Sequence, residues 1–146
     1  MYFVDRSNIE KTLDYMDKVL IEIDQNSYES FAEKLSLERM IHVLIESVLD
    51  VGNMMIDGFI MRDPGSYNDI IDILIDEKVI PEENEADYKA LIELRKMIVT
   101  DYTEVNDEKL RETIDRIKGT LKQFSSHIRT YLKNELGVAN AFSNEG

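Results

Sequence analysis

The feature that most constrains this chain is an apolar seam near its C-terminal end. Leu110, Ile114, Ile117, Leu121, Phe124, Ile128 and Tyr131 recur at alternating spacings of four and three. A mean spacing of about 3.5 keeps one face of a helix apolar and suits left-handed, nearly antiparallel packing against other helices. No strand offers that periodicity. Two further stripes repeat it: Ile9, Leu13, Met16, Leu20 and Ile23 near the start, then Leu37, Ile41, Leu44, Val48, Val51, Met55 and Phe59. The expected fold is all-α, an antiparallel four-helix bundle with one additional short helix.

Punctuation sets the expected boundaries. Ser7 or Asn8 is the expected N-cap of the first helix, which stops near Asp24-Gln25-Asn26-Ser27. A short turn or helix over Tyr28 to Leu35 then leads to Ser36 as N-cap of a long second helix. Pro64-Gly65 ends that helix and Ser66 caps a short third one carrying Tyr67, Ile70, Ile71, Leu74 and Ile75 inward. After Val79 to Asn84 a fourth helix runs from Glu85 to about Val99. There Ile98-Val99-Thr100-Asp101-Tyr102-Thr103, rich in β-branched and short polar residues, weakens helix propensity, so the helix ends, kinks or frays. Asn106 is the expected N-cap of the last helix. With 146 residues the chain is expected to be a single domain over 1–146, its last ten residues, 137–146, a frayed tail.

Composition narrows the chemistry. Without cysteine there is no disulfide, no thiolate nucleophile and no cysteine-based metal site, and the two histidines, His42 and His127, lie far apart in sequence. No motif calls for a cofactor or a metal. Asp69, Asp72 and Asp76 share a helix face, but solvated carboxylates explain them better than a hard-cation site. The N-terminal stretch is acidic and amphipathic rather than signal-like, and the longest apolar candidate, Met54 to Met61, is interrupted by Asp57 and Gly58. The expected location is cytoplasmic, with no membrane partner. A net charge of −13 opposes non-specific nucleic-acid binding, yet residues 109–133 hold seven cations against two carboxylates. That basic stretch is either a solvated face or a surface for an anionic partner.

Several segments taken together carry a family likeness: Leu49-Asp50-Val51-Gly52-Asn53, Pro64-Gly65-Ser66-Tyr67, Val79-Ile80, and Leu94-Arg95-Lys96-Met97-Ile98-Val99-Thr100-Asp101-Tyr102. Over roughly residues 5 to 133 the chain resembles the HepT-like branch of the HEPN superfamily. That family's motif is an Arg, four residues, a His, one residue and a Tyr. Here Arg95 and Tyr102 fit, while Thr100 stands at the His position. The resemblance implies a homodimeric, metal-independent ribonuclease acting as the toxin of a toxin-antitoxin pair. Its implied partner is a nucleotidyltransferase-like antitoxin that transfers AMP to the motif Tyr. Carried over, Tyr102 is the AMP acceptor, Arg95 the phosphate-binding cation, and Arg95, Thr100 and Tyr102 the catalytic positions.

The residues themselves support part of this. Metal-free RNA cleavage needs a base for the 2′-hydroxyl, an acid for the leaving oxygen and cations for the charged transition state. Arg95 suits the last task; Thr100, a hydroxyl that does not titrate near neutrality, suits neither of the first two. In a continuous helix Arg95 and Tyr102 are about 700° apart and share a face, whereas Thr100 stands about 140° away from Arg95. The lesser alternative for Arg95 is a pairing with Asp101 or Glu104, and for Tyr102 the alternative is an ordinary half-buried aromatic. His42 and His127 read as structural, His127 being the spare acid-base candidate. Three functions stay open: a HepT-like ribonuclease weakened by Thr100, a non-catalytic HEPN module binding RNA or a nucleotidyltransferase-like partner, and a structural dimer whose motif is a remnant.

Overall fold

The computed structural model describes residues 2–143, with side chains through Gly137; of the tail expected over 137–146, residues 137–143 continue the last helix and 144–146 lie outside the described residues. Among the described residues there are six α-helices: α1 (Arg6–Gln25), α2 (Phe31–Gly58), α3 (Tyr67–Asp76), α4 (Glu85–Arg95), α5 (Asp107–Leu121) and α6 (Phe124–Ser143). Among the described residues there is no strand. The all-α bundle expected from the seams is therefore the fold.

Capping hydrogen bonds explain where the helices start, and they move two expected boundaries. Asp5, not Ser7 or Asn8, caps α1, its Oδ1 accepting from the Asn8 N–H at 3.1 Å. At α2 the cap is Ser30 rather than Ser36: Ser30 Oγ accepts from the Glu33 N–H at 3.1 Å while Glu33 Oε1 accepts from the Ser30 N–H at 2.9 Å. This reciprocal box satisfies two backbone donors at once and holds the Glu33 carboxyl below its usual range. Ser36 instead donates its hydroxyl to the Ala32 carbonyl inside the helix. Asn106 caps α5 as expected, accepting from the Lys109 N–H at 3.1 Å.

The helix ends depart from the expected punctuation. α2 stops before Pro64-Gly65, because Ile60 adopts a left-handed φ of 56° and Met61 donates back to the Ile56 carbonyl at 2.9 Å. Lys78 repeats the device after α3, with φ 61° and a Val79 N–H to Leu74 carbonyl bond of 2.8 Å. The expected single last helix is interrupted at Lys122 and Gln123, just after the weak helix formers Gly119 and Thr120. Its seam nevertheless continues in phase: Leu110, Ile114, Ile117, Leu121, Phe124 and Ile128 are all buried, in one core with the inward residues of the other helices.

Charge clasps α1 to the α5–α6 arm. Asp24, at the end of α1, pairs with Lys118 and Lys122, and Arg111 pairs with Glu29 in the link that follows α1. Arg129 meets Glu10 at 3.0 Å, Asp14 at 2.9 Å and Asp17 at 3.8 Å. Partners that descend along α1 as the arm ascends require the two to run antiparallel. The Lys122 and Lys118 ammoniums hold the Asp24 carboxyl below its ordinary range. Four of the seven cations in the basic stretch are thus spent on the chain's own carboxylates rather than offered to an anionic partner.

Candidate active site at the C-terminal end of α4

Arg95 is the last residue of α4, and a side chain from α2 fixes its direction. Arg95 Nε donates to Glu46 Oε1 at 2.9 Å, displacing the expected pairing with Asp101 or Glu104. Asp101 lies instead 3.9 Å from Lys96. Both partners of the Arg95–Glu46 pair keep about a third of their side-chain surface exposed, 29% and 38%. A pair this open contributes about 0–1 kcal/mol to stability, so its main consequence is orientation. Glu46 also keeps the guanidinium firmly charged, raising its pKa from an already high value.

Tyr67 covers the guanidinium from a third helix. The Arg95 Cζ stands 4.9 Å from the Tyr67 ring centroid, a cation–π distance. Two local features put the ring there. Ser66 Oγ accepts from the Asp69 N–H at 3.1 Å while Asp69 Oδ2 accepts from the Gly65 N–H at 2.8 Å, which fixes the first turn of α3. Gly52 then lets α3 approach α2 closely, since a Cβ there would sit 2.5 Å from Ile70 Cγ2. Tyr67, expected inward, is 47% exposed. Open clefts of about 470 and 420 Å³ flank it, the first lined by Asn53 and Pro64, the second by Lys89 and Glu93.

Beyond Arg95 the helix widens before it stops. Lys96–Thr100 form a π turn closed by the Asp101 N–H to Lys96 carbonyl bond of 3.0 Å. A 3₁₀ turn, Tyr102–Glu104, follows, and the Asn106 N–H rests on Met97 Sδ at 3.3 Å. A π turn uses more residues per revolution than an α turn, which brings position 100 back toward the face of Arg95. The 140° offset expected for a regular helix is thereby reduced, and such insertions favour functional positions. Thr100 is exposed. Tyr102 is 68% exposed rather than half-buried.

Sequence reasoning missed the α2 side of this site. His42, Glu46 and Asp50 follow one another at i, i+4 and i+8, and His42 Nε2 lies 3.5 Å from the Glu46 Oε1 that also holds Arg95. Local burial, then the charge of Glu46, hold Asp50 above the usual carboxylate range. The helical spacing of the three was the available signal. The other histidine is elsewhere: His127 lines a cleft of about 550 Å³ with Lys78, Pro81 and Tyr131, away from the residues that hold Arg95. Asp69, Asp72 and Asp76 take separate partners, respectively the Gly65 N–H, Lys89 and Arg62.

An all-α bundle in which Arg95, held by Glu46 and covered by the Tyr67 ring, closes one helix defines the class, a helical domain with a polar, cationic cluster at a helix end. The chain belongs to the ribonuclease HepT-like family, whose model matches residues 9–128. Among its relatives is "Putative RNase YutE" of Bacillus subtilis (strain 168), 49% identical over 143 residues, 97% of this chain and 99% of that one. The solved structure of YutE from Bacillus subtilis, described as a cytosolic protein, superposes with a TM-score of 0.91 over 94% of this chain and 96% of that one, at 49% identity. Among the described residues no helix is long and apolar enough to cross a membrane.

Proposed function

We propose that this protein is a cytoplasmic, metal-independent endoribonuclease of the HepT-like type whose turnover is slowed by Thr100 at the motif His position. The observation that carries the reading is Arg95. Its Nε is engaged by Glu46 and its ring-flanked guanidinium keeps the terminal nitrogens for a phosphate, the bidentate geometry that suits a scissile phosphodiester. Exposed Tyr67 offers a face edge for a nucleobase. With EDTA present, the wild-type chain should cleave single-stranded RNA slowly and Arg95→Ala should not cleave it detectably. Equal rates for the two would reject the reading.

The functional unit in this proposal is a homodimer. Val99 and Tyr102 expose apolar surface at the same helix end as Arg95, and a two-fold axis there would double the cations facing one RNA strand. Light scattering at micromolar concentration should give about twice the 17.0 kDa chain mass; a value near 17.0 kDa would count against the dimer.

Within a toxin-antitoxin pair, a nucleotidyltransferase-like antitoxin would silence the site by transferring AMP to Tyr102. The exposed phenol is open to an incoming enzyme, and an adenylylated Tyr102 would set a competing phosphate beside the motif. Peptide mass spectrometry after incubation with such a partner and ATP should place AMP on Tyr102, and Tyr102→Phe should take up none. Undiminished labelling of Tyr102→Phe would reject this assignment.

A further inference from the structure

We infer that His42 supplies the proton-transferring imidazole that the motif lacks at Thr100. The inference rests on the ribonuclease reading above and deepens it. One carboxylate oxygen, Glu46 Oε1, receives Arg95 Nε at 2.9 Å and stands 3.5 Å from His42 Nε2. The imidazole and the phosphate-directed guanidinium are therefore neighbours across a single atom. His42 keeps 27% of its side-chain surface exposed, enough for a substrate hydroxyl to reach it while α2 holds its direction.

Glu46 has a second task in this arrangement. A carboxylate behind an imidazole orients the ring and stabilises the imidazolium that forms when it takes a proton. The 3.5 Å separation is loose for a hydrogen bond, as acid-base contacts often are before substrate closes the site. Neither alternative group matches it. Thr100 does not titrate in the useful range, and His127 lines a different cleft.

The step balances without another reactant. The 2′-oxygen attacks phosphorus as its proton passes to His42, and Arg95 holds the non-bridging oxygens. The bond from phosphorus to the 5′-oxygen breaks, and the imidazolium returns the proton, through water, to that departing oxygen. The products are a 2′,3′-cyclic phosphate and a 5′-hydroxyl, and His42 ends as it began.

The test follows cleavage of a labelled RNA oligonucleotide in EDTA by the full chain and by His42→Ala, His42→Gln, His127→Ala and Arg95→Ala, each checked by thermal melting. Both His42 variants should lose about 10²-fold or more in rate. Free imidazole should restore part of the His42→Ala rate and none of the Arg95→Ala rate, and His127→Ala should match wild type. If His42→Ala cleaves at the wild-type rate while Arg95→Ala is inactive, His42 is not the proton carrier and the ribonuclease reading stands. Loss in folded His42 variants without imidazole rescue also overturns the inference. No wild-type cleavage at all overturns both.

Discussion

Thr100→His should raise metal-free RNA cleavage by about 10²- to 10⁴-fold, the range a positioned acid or base contributes, because a second imidazole would protonate the departing oxygen directly while His42 takes the 2′-proton. The expectation follows from the π turn at Lys96–Thr100, which brings position 100 back toward the face on which Glu46 and Tyr67 hold Arg95. Thr100 is exposed, so an imidazole there meets no packing obstacle and the melting temperature should hardly change. The enhanced rate should vary with pH between about 5 and 8, where an imidazole ordinarily titrates. Adding Arg95→Ala should remove the gain, because the transition-state charge loses its principal counter-charge. A Thr100→His variant no faster than wild type would show that position 100 is not within reach of the scissile group.

Phe124→Ala should have the largest effect on stability, a loss of about 3–5 kcal/mol in denaturant unfolding. Phe124 is fully buried, and its ring centroid lies 5.6 Å from that of Tyr88, itself fully buried. The contact joins α4 to the first residue of α6, where the backbone has just been interrupted at Lys122 and Gln123. Removing the ring leaves a cavity beside a phenol that burial already pushes well above its ordinary pKa. A loss below about 1 kcal/mol would mean that the surrounding core closes over the missing ring and that this contact does not hold the arm.

Most of the bundle was legible because burial follows the seams. Leu110 to Ile128 is apolar at every inward step, and the chain buries those side chains even across a helix break. The break itself was hidden, since the seam alone carries no record of backbone continuity. The misplaced starts have a different cause. The onset of apolar periodicity drew the second helix to Ser36, whereas Ser30 and Glu33 already spell the reciprocal cap that starts it.

The candidate site was legible only along α4. Arg95 and Tyr102 stood in a motif, but the partners of Arg95 come from distant segments: Glu46 lies 49 residues away, and Tyr67 belongs to α3, whose close approach to α2 at Gly52 no local pattern announces. His42 reads as a structural histidine in the sequence for the same reason, since helical spacing relates it to Glu46 and nothing in sequence relates Glu46 to Arg95. The π turn was foreshadowed as a weakness in propensity without a geometry.

The measurement that bears most directly on the central claim is the chemistry of the RNA ends. Purified wild-type chain and Arg95→Ala would be incubated with one RNA oligonucleotide in EDTA, and the new termini identified by mass spectrometry. A ribonuclease working through Arg95 and an imidazole, without metal, should leave 2′,3′-cyclic phosphates and 5′-hydroxyls in the wild-type reaction and no new ends with Arg95→Ala. Cleavage that appears only with added Mg²⁺, or that leaves 5′-phosphates, or that survives Arg95→Ala, would contradict it.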